Sequence, residues 1–184
     1  MAPSFHPWLV EGTATLYNEL FLAAPALEVL YVPIGMGSGV CGAVAAREAL
    51  GISTEIVGVV SAHARAYYDA FERREYVCSP ATTRVADGMA VPAPDLAALE
   101  LIWRHVSRIV MVTDDEVAGA MRAIYDDTHN VAEGAGAAGV AAILQEKGRL
   151  GRARAATVVS GGNVDRGLFA EVMGAGGSAR AGSA

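Results

Sequence analysis

Short β-branched apolar runs alternate with helix-length stretches along almost the whole of this 184-residue chain. Val29 to Ile34, Glu55 to Val60, Arg108 to Val112 and Ala155 to Val159 each have the length and composition of a buried strand. Between them lie helical patterns. Thr13 to Ala23 places Leu16, Leu20 and Ala23 on one face, and an alanine-rich stretch from Val40 to Leu50 closes at Gly51. Ala62 to Phe71 and Asp95 to Arg104 follow. Thr113-Asp114-Asp115-Glu116 is a capping box that opens a helix to about Asp127, and a small-residue helix begins after Glu133. Tyr76 to Pro94, with its prolines and short extended patches, fits neither pattern. Strands separated by helices and short loops predict an α/β fold, a parallel sheet flanked by helices.

In such sheets ligands bind beyond the C-terminal ends of the strands. Two small-residue loops fall there. Gly35-Met36-Gly37-Ser38-Gly39 follows the first strand and opens a helix. Its glycines let several amides converge, and the helix adds its N-terminal dipole, which makes an anion site suited to a phosphate. Ser160-Gly161-Gly162-Asn163 follows the fourth strand on the same rim and leads to a helix expected from Val164. Gly37 to Gly42 also fits the GxGxxG dinucleotide fingerprint, but the second strand ends Val59-Val60-Ser61-Ala62 without the ribose-binding carboxylate. A 2′-phosphate cofactor could use Arg65 instead, so an NADP-binding module remains an alternative. No GK[ST] follows the glycines, which excludes a P-loop.

Composition narrows the function classes. With 53% hydrophobic and 18% charged residues the chain can bury one core. The net charge of -6 without a basic run argues against nucleic acid, and no apolar stretch is long enough for a membrane span. Cys41 and Cys78 have no CxxC spacing and read as reduced thiols, so a cytoplasmic protein is expected. Asp126, Asp127 and His129 are explained by a polar helix terminus, so no metal site is predicted. His63 and His105 are isolated, Arg73-Arg74 reads as a solvated face, and Trp8 and Trp103 as packing aromatics. Among 14 basic residues Lys147 is the only lysine, at a polar helix end before a capping Gly148.

Four segments occur in one order: the strand with Gly35-Met36-Gly37-Ser38-Gly39, then Thr83-Arg84-Val85-Ala86-Asp87-Gly88-Met89, Glu133-Gly134-Ala135-Gly136-Ala137, and Val158-Val159-Ser160-Gly161-Gly162-Asn163. Together they resemble the C-terminal part of the serine/threonine dehydratases, fold-type II pyridoxal-phosphate enzymes, over about Phe5 to Met173. The family's counterparts are a glycine-rich loop, T-x-A-D-G, E-P-A-G-A and S-G-G-N. The resemblance implies an incomplete tryptophan synthase beta-like large domain over residues 1–173; from Gly174 onward only Gly, Ala, Ser and one Arg remain, a composition that predicts a disordered tail over 174–184. It implies pyridoxal 5′-phosphate as cofactor and β-elimination from L-threonine, L-serine or a related hydroxy amino acid to a 2-oxo acid and ammonia. By position, the amides of Gly35, Met36, Gly37, Ser38 and Gly39 would hold the phosphate. Ser160 would face the ring nitrogen, Gly88 would approach the cofactor by its backbone, and Glu133 would lie near ring or substrate.

The sequence departs from the family in several places. Met36 and Ser38 replace glycines of the commonest loop, Gly134 stands where the family has proline, and residues 60–63 offer no carboxylate for the cation some relatives bind. No S-x-K-x-R-G segment, which carries the family's Schiff-base lysine, is present. The resemblance therefore implies that the chain begins midway through the enzyme and is inactive alone, with no catalytic residue of its own. It implies an amino-acid substrate, and a homo-oligomer or association with the missing N-terminal part. A non-catalytic fragment that acts only with a partner chain is the other alternative.

Overall fold

The computed structural model describes residues 5–175. Its elements run α1 (Pro7–Ala23), β1 (Val29–Pro33), α2 (Ser38–Leu50), β2 (Glu55–Ser61), α3 (Ala66–Arg73), a 3-10 turn (Asp87–Met89), α4 (Leu96–His105), β3 (Arg108–Val112), α5 (Asp114–Thr128), α6 (Gly134–Gln145), α7 (Lys147–Leu150), β4 (Ala155–Thr157) and α8 (Arg166–Gly174). All strand pairs are parallel, in the order β3-β2-β1-β4. The α/β reading holds. Of the tail expected at 174–184, Gly174 closes α8, and the part from 176 onward lies outside the described residues.

The strands are apolar on both faces because alternate side chains feed two cores. Leu30, Val32, Ile56 and Val60 pack with α1 to α4, around Tyr17, Phe21, Val40, Tyr67 and Leu99. Val29, Tyr31, Val57 and Val59 pack with α5, α6 and α8, around Val117, Met121, Ala138 and Val172. The chain leaves β1 toward β2 on one side and returns from β3 to β4 on the other. The strand order therefore reverses between β1 and β4, and a crevice opens at their C-terminal ends.

Several expected boundaries and contacts are corrected. The helix expected from Thr13 starts at Pro7, with His6 as cap: its Nδ1 accepts from the Trp8 amide at 3.2 Å, and proline suits the first helical position. Tyr17 and Phe21 form the buried face, whereas Leu16 is exposed. Trp8 is 77% exposed rather than packed. It stands nine residues before Tyr17, half a turn away around the helix at 100° per residue. Trp103 does pack, its indole N–H donating to the Ala70 carbonyl at 3.1 Å.

The second correction concerns β4, which stops at Thr157 instead of Val159. Val29 donates toward β4, to the Arg154 carbonyl, and Ile34 donates the other way, to Val59. Alternate β1 residues therefore face β4, and the third of these is Pro33. Proline has no N–H to give Val158, so the ladder ends at the Tyr31–Thr157 pair. The following helix begins at Arg166, where the Asp165 carboxylate caps the Gly167 and Leu168 amides at 2.7 and 3.2 Å, not at Val164. Helix α3 begins at Ala66, because Ala64 bridges to Ala81 in the preceding turn. Gly148 lies within α7, and Gly151 ends it. The Thr113 capping box is present, with the Thr113 amide donating to Glu116 Oε2 at 2.7 Å.

Candidate functional site

The glycine-rich loop runs from the end of β1 into α2. Gly37 caps α2 with φ 97° and ψ -8°, a left-handed conformation that side chains resist. A Cβ at Gly37 would lie 2.6 Å from the Ala98 Cβ, and one at Gly35 would lie 2.5 Å from the Gly88 carbonyl oxygen. Both positions need glycine because the loop is pressed between α4 and the segment carrying Gly88.

Backbone polarity across this loop is sorted. The carbonyls of Met36, Gly37 and Ser38 accept, respectively, from the Tyr67 hydroxyl at 2.9 Å, the Cys41 amide at 3.0 Å and the Thr13 hydroxyl at 3.0 Å. None of the amides of residues 35 to 40 donates to an acceptor among the described residues. Six consecutive donors at a helix N-terminus, with the carbonyls of Met36, Gly37 and Ser38 bonded inward, form a cradle for an anion.

The other expected site residues gather beside it. Gly88 stands in the 3-10 turn, its own Cβ position 3.0 Å from the Ala135 Cβ. This segment is anchored from β3's end: Asp114 accepts from the Thr83 hydroxyl at 2.6 Å and from the Arg84 amide at 2.8 Å. The Glu133 amide donates to the Gly161 carbonyl at 3.0 Å, and its carboxylate accepts from the Asn163 amide at 3.1 Å. A Cβ on Gly136 would reach within 2.5 Å of the Gly161 carbonyl oxygen, so α6 rests directly on the turn. Ser160 is exposed at the start of that turn. The structure thus brings Gly35 to Gly39, Gly88, Glu133 and Ser160 to the crevice between β1 and β4.

Other candidates lie elsewhere. Lys147 is exposed after the C-terminus of α6, whose N-terminus is at the crevice. Twelve helical residues span about 18 Å, so the amine is at the opposite rim. At that rim Arg108 bridges Glu146 (2.6 Å) and Glu55, and the Tyr31 hydroxyl bonds Glu146 at 2.5 Å. Burial raises the Glu146 carboxyl, but bonds from Arg108 and Tyr31 outweigh it and hold the group below its ordinary value. His129 takes a left-handed backbone at the end of α5, beyond Asp126 and Asp127. No group of three metal-ligating side chains occurs among the described residues. His63 is exposed, and Arg47 and Glu48 flank His105. Arg65 pairs with Asp69 at 3.0 Å. Cys41 is buried, and burial pushes its thiol up to about 12. Among the described residues no helix is long and apolar enough to cross a membrane.

Sequence reasoning missed Tyr67, Asp95 and the anchoring role of Asp114. Tyr67 lies within a helical pattern, and Asp95 and Asp114 look like helix caps. Only the tertiary arrangement shows what they reach.

A family model described as pyridoxal-phosphate dependent enzyme matches residues 1–161. The chain is 30% identical over 171 residues to an L-threonine ammonia-lyase of Thermotoga maritima, covering 93% of this chain and 42% of that protein. It is 34% identical over 168 residues to a phenylserine dehydratase of Ralstonia pickettii, covering 91% of this chain and 52% of the relative. The chain therefore spans about half the length of these curated relatives. Among solved structures, a serine racemase from maize superposes with a TM-score of 0.84 at 25% identity, covering 95% of this chain and 55% of that one.

Proposed function

The chain belongs to the pyridoxal-phosphate dependent enzyme family, and from that premise we propose that residues 1–173 form the C-terminal part of the cofactor-binding domain of a dehydratase. The parent reaction is β-elimination from L-threonine, L-serine or a related hydroxy amino acid, giving a 2-oxo acid and ammonia. The likeness to an L-threonine ammonia-lyase and a phenylserine dehydratase supports this reaction class. The observation that carries the reading is the row of acceptor-free amides from 35 to 40 at the point where the strand order reverses.

Each residue has a part set by its chemistry. The amides of Gly35, Met36, Gly37, Ser38 and Gly39 hold the phosphate, helped by the partial positive charge of α2's N-terminus and by the Ser38 hydroxyl. Gly88 lets backbone approach closely. Ser160 offers the ring nitrogen a neutral hydroxyl rather than a carboxylate. Glu133 fixes the turn that carries Ser160, through the Asn163 amide and the Gly161 contact. When bound, the cofactor supplies the electron sink for charge left at the substrate's α-carbon.

The residues present fit the phosphate and the ring but not covalent attachment, because Lys147 is at the far end of α6. The 184-residue chain therefore binds and orients without an amine to move the α-proton. Its activity requires a lysine brought by another segment. The test is 2-oxobutyrate release from L-threonine. We expect none from the chain alone, and release once a polypeptide bearing an S-x-K-x-R-G segment is added. Steady release by the pure chain, abolished by Ser160→Ala, contradicts the proposal.

A further inference from the structure

We infer that Tyr67 is the positioning residue that aims the anion-binding amides, through a single buried hydroxyl. The inference rests on the reading of residues 35 to 39 as a phosphate cradle and adds the device that orients it.

A trans peptide is planar, so its C=O and N–H point in opposite directions. Holding one end fixes the other. The Tyr67 hydroxyl donates to the Met36 carbonyl at 2.9 Å and turns it into the protein. The same peptide's N–H, that of Gly37, must then point away from Tyr67. The next peptide is set likewise by the Cys41 amide on the Gly37 carbonyl, which is an ordinary helical bond and comes with α2. The Met36–Gly37 peptide has no such helical partner, and Gly37 is free to take many backbone angles. Tyr67 supplies the hydrogen bond that specifies which way this peptide points.

The hydroxyl is itself held. It accepts from the Asp95 amide at 3.0 Å, so its one proton is left for Met36. Asp95 in turn caps α4, its carboxylate accepting from the Ala97 and Ala98 amides at 2.9 and 3.1 Å. Ala98 is the residue against which Gly37 is pressed. The start of α4, Tyr67 of α3 and the loop therefore form one rigid unit. Tyr67 is 2% exposed. Burial pushes its phenol above the ordinary range, so it stays a neutral donor at any working pH.

The test is a titration of the isotope-labelled 184-residue chain with inorganic phosphate, followed by amide NMR, in wild type and Tyr67→Phe. In wild type the Gly37, Ser38 and Gly39 amides should shift with one midpoint. In Tyr67→Phe the midpoint should rise about tenfold, the size expected for one lost orienting hydrogen bond, with the Gly37 shift most reduced. Amides of β2 and β3 should be unchanged, which separates reorientation from general loosening. An unchanged midpoint in a folded Tyr67→Phe overturns the role of Tyr67 and leaves the cradle standing. If no amide from 35 to 40 moves in wild type, the cradle fails and the inference with it. Should Tyr67→Phe not fold, the wild-type Tyr67 Cζ resonance decides. Phosphate on the Gly37 N–H polarises the shared peptide and strengthens the bond to Tyr67, so Cζ must shift at the same midpoint. A Cζ resonance that stays fixed overturns the inference.

Discussion

Replacing Gly37 with alanine isolates the backbone geometry on which the cradle depends. The residue sits at φ 97°, where a Cβ costs about 1–2 kcal/mol. That Cβ would also stand 2.6 Å from the Ala98 Cβ, and relieving such an overlap costs about 1–3 kcal/mol. Stiffening of the unfolded chain returns about 0.4–1 kcal/mol. The net loss is about 1–5 kcal/mol, which for a domain of this size lowers Tm by roughly 2–20 °C. Gly39→Ala is the comparison. Its Cβ would meet only the Tyr17 hydroxyl at 3.6 Å and Val32 at 3.9 Å, ordinary contacts, and alanine favours a helix by about 1 kcal/mol. Thermal melts by circular dichroism should show Gly37→Ala clearly destabilised and Gly39→Ala equal to wild type or better. Equal melting of wild type and Gly37→Ala refutes the left-handed turn and its packing on α4.

The ion network at the opposite rim makes stability depend on acid. The Glu146 carboxyl is depressed in the folded state, so its contribution is present above the ordinary carboxylate range and is lost as pH falls through the folded value. Glu146→Gln should lower Tm near pH 7 and flatten its fall as pH drops below the ordinary carboxylate range; parallel curves for the two proteins count against the network. Assembly gives a further outcome. β4 is a three-residue edge strand, and Val131, Leu144 and Val159 are exposed hydrophobics of α6 and the loops beside it. Analytical ultracentrifugation should show concentration-dependent association of the 184-residue chain, and a monomer at all concentrations contradicts this.

The sheet was legible because its strands are buried on both faces and read as continuous apolar runs. Arg108 to Val112 was placed to the residue. β4 was overrun by two residues because the limit comes from Pro33, far away in sequence, whose missing N–H matters only once the register is known. Trp8 was misjudged because aromatic character says nothing of helix phase; its position half a turn from Tyr17 does. The two glycine loops were found from their place after strands. Their adjacency follows from the reversal between β1 and β4, which no local pattern carries. Glu133 was expected near the cofactor, and its carboxylate bonds the Asn163 amide. The Tyr67 hydroxyl and the Asp114 carboxylate act across 31 positions of sequence and left no signal there.

The claim that residues 35 to 39 hold a phosphate is tested most directly by comparing pyridoxal 5′-phosphate with pyridoxal. Both carry the same ring and aldehyde, and only one carries the anion. Equilibrium titration of the 184-residue chain, followed by amide NMR of residues 35 to 40, should show binding of pyridoxal 5′-phosphate that inorganic phosphate displaces. Pyridoxal should leave those amides unmoved. Equal binding of the two compounds, or binding that leaves the amides of 35 to 40 unmoved, contradicts the account.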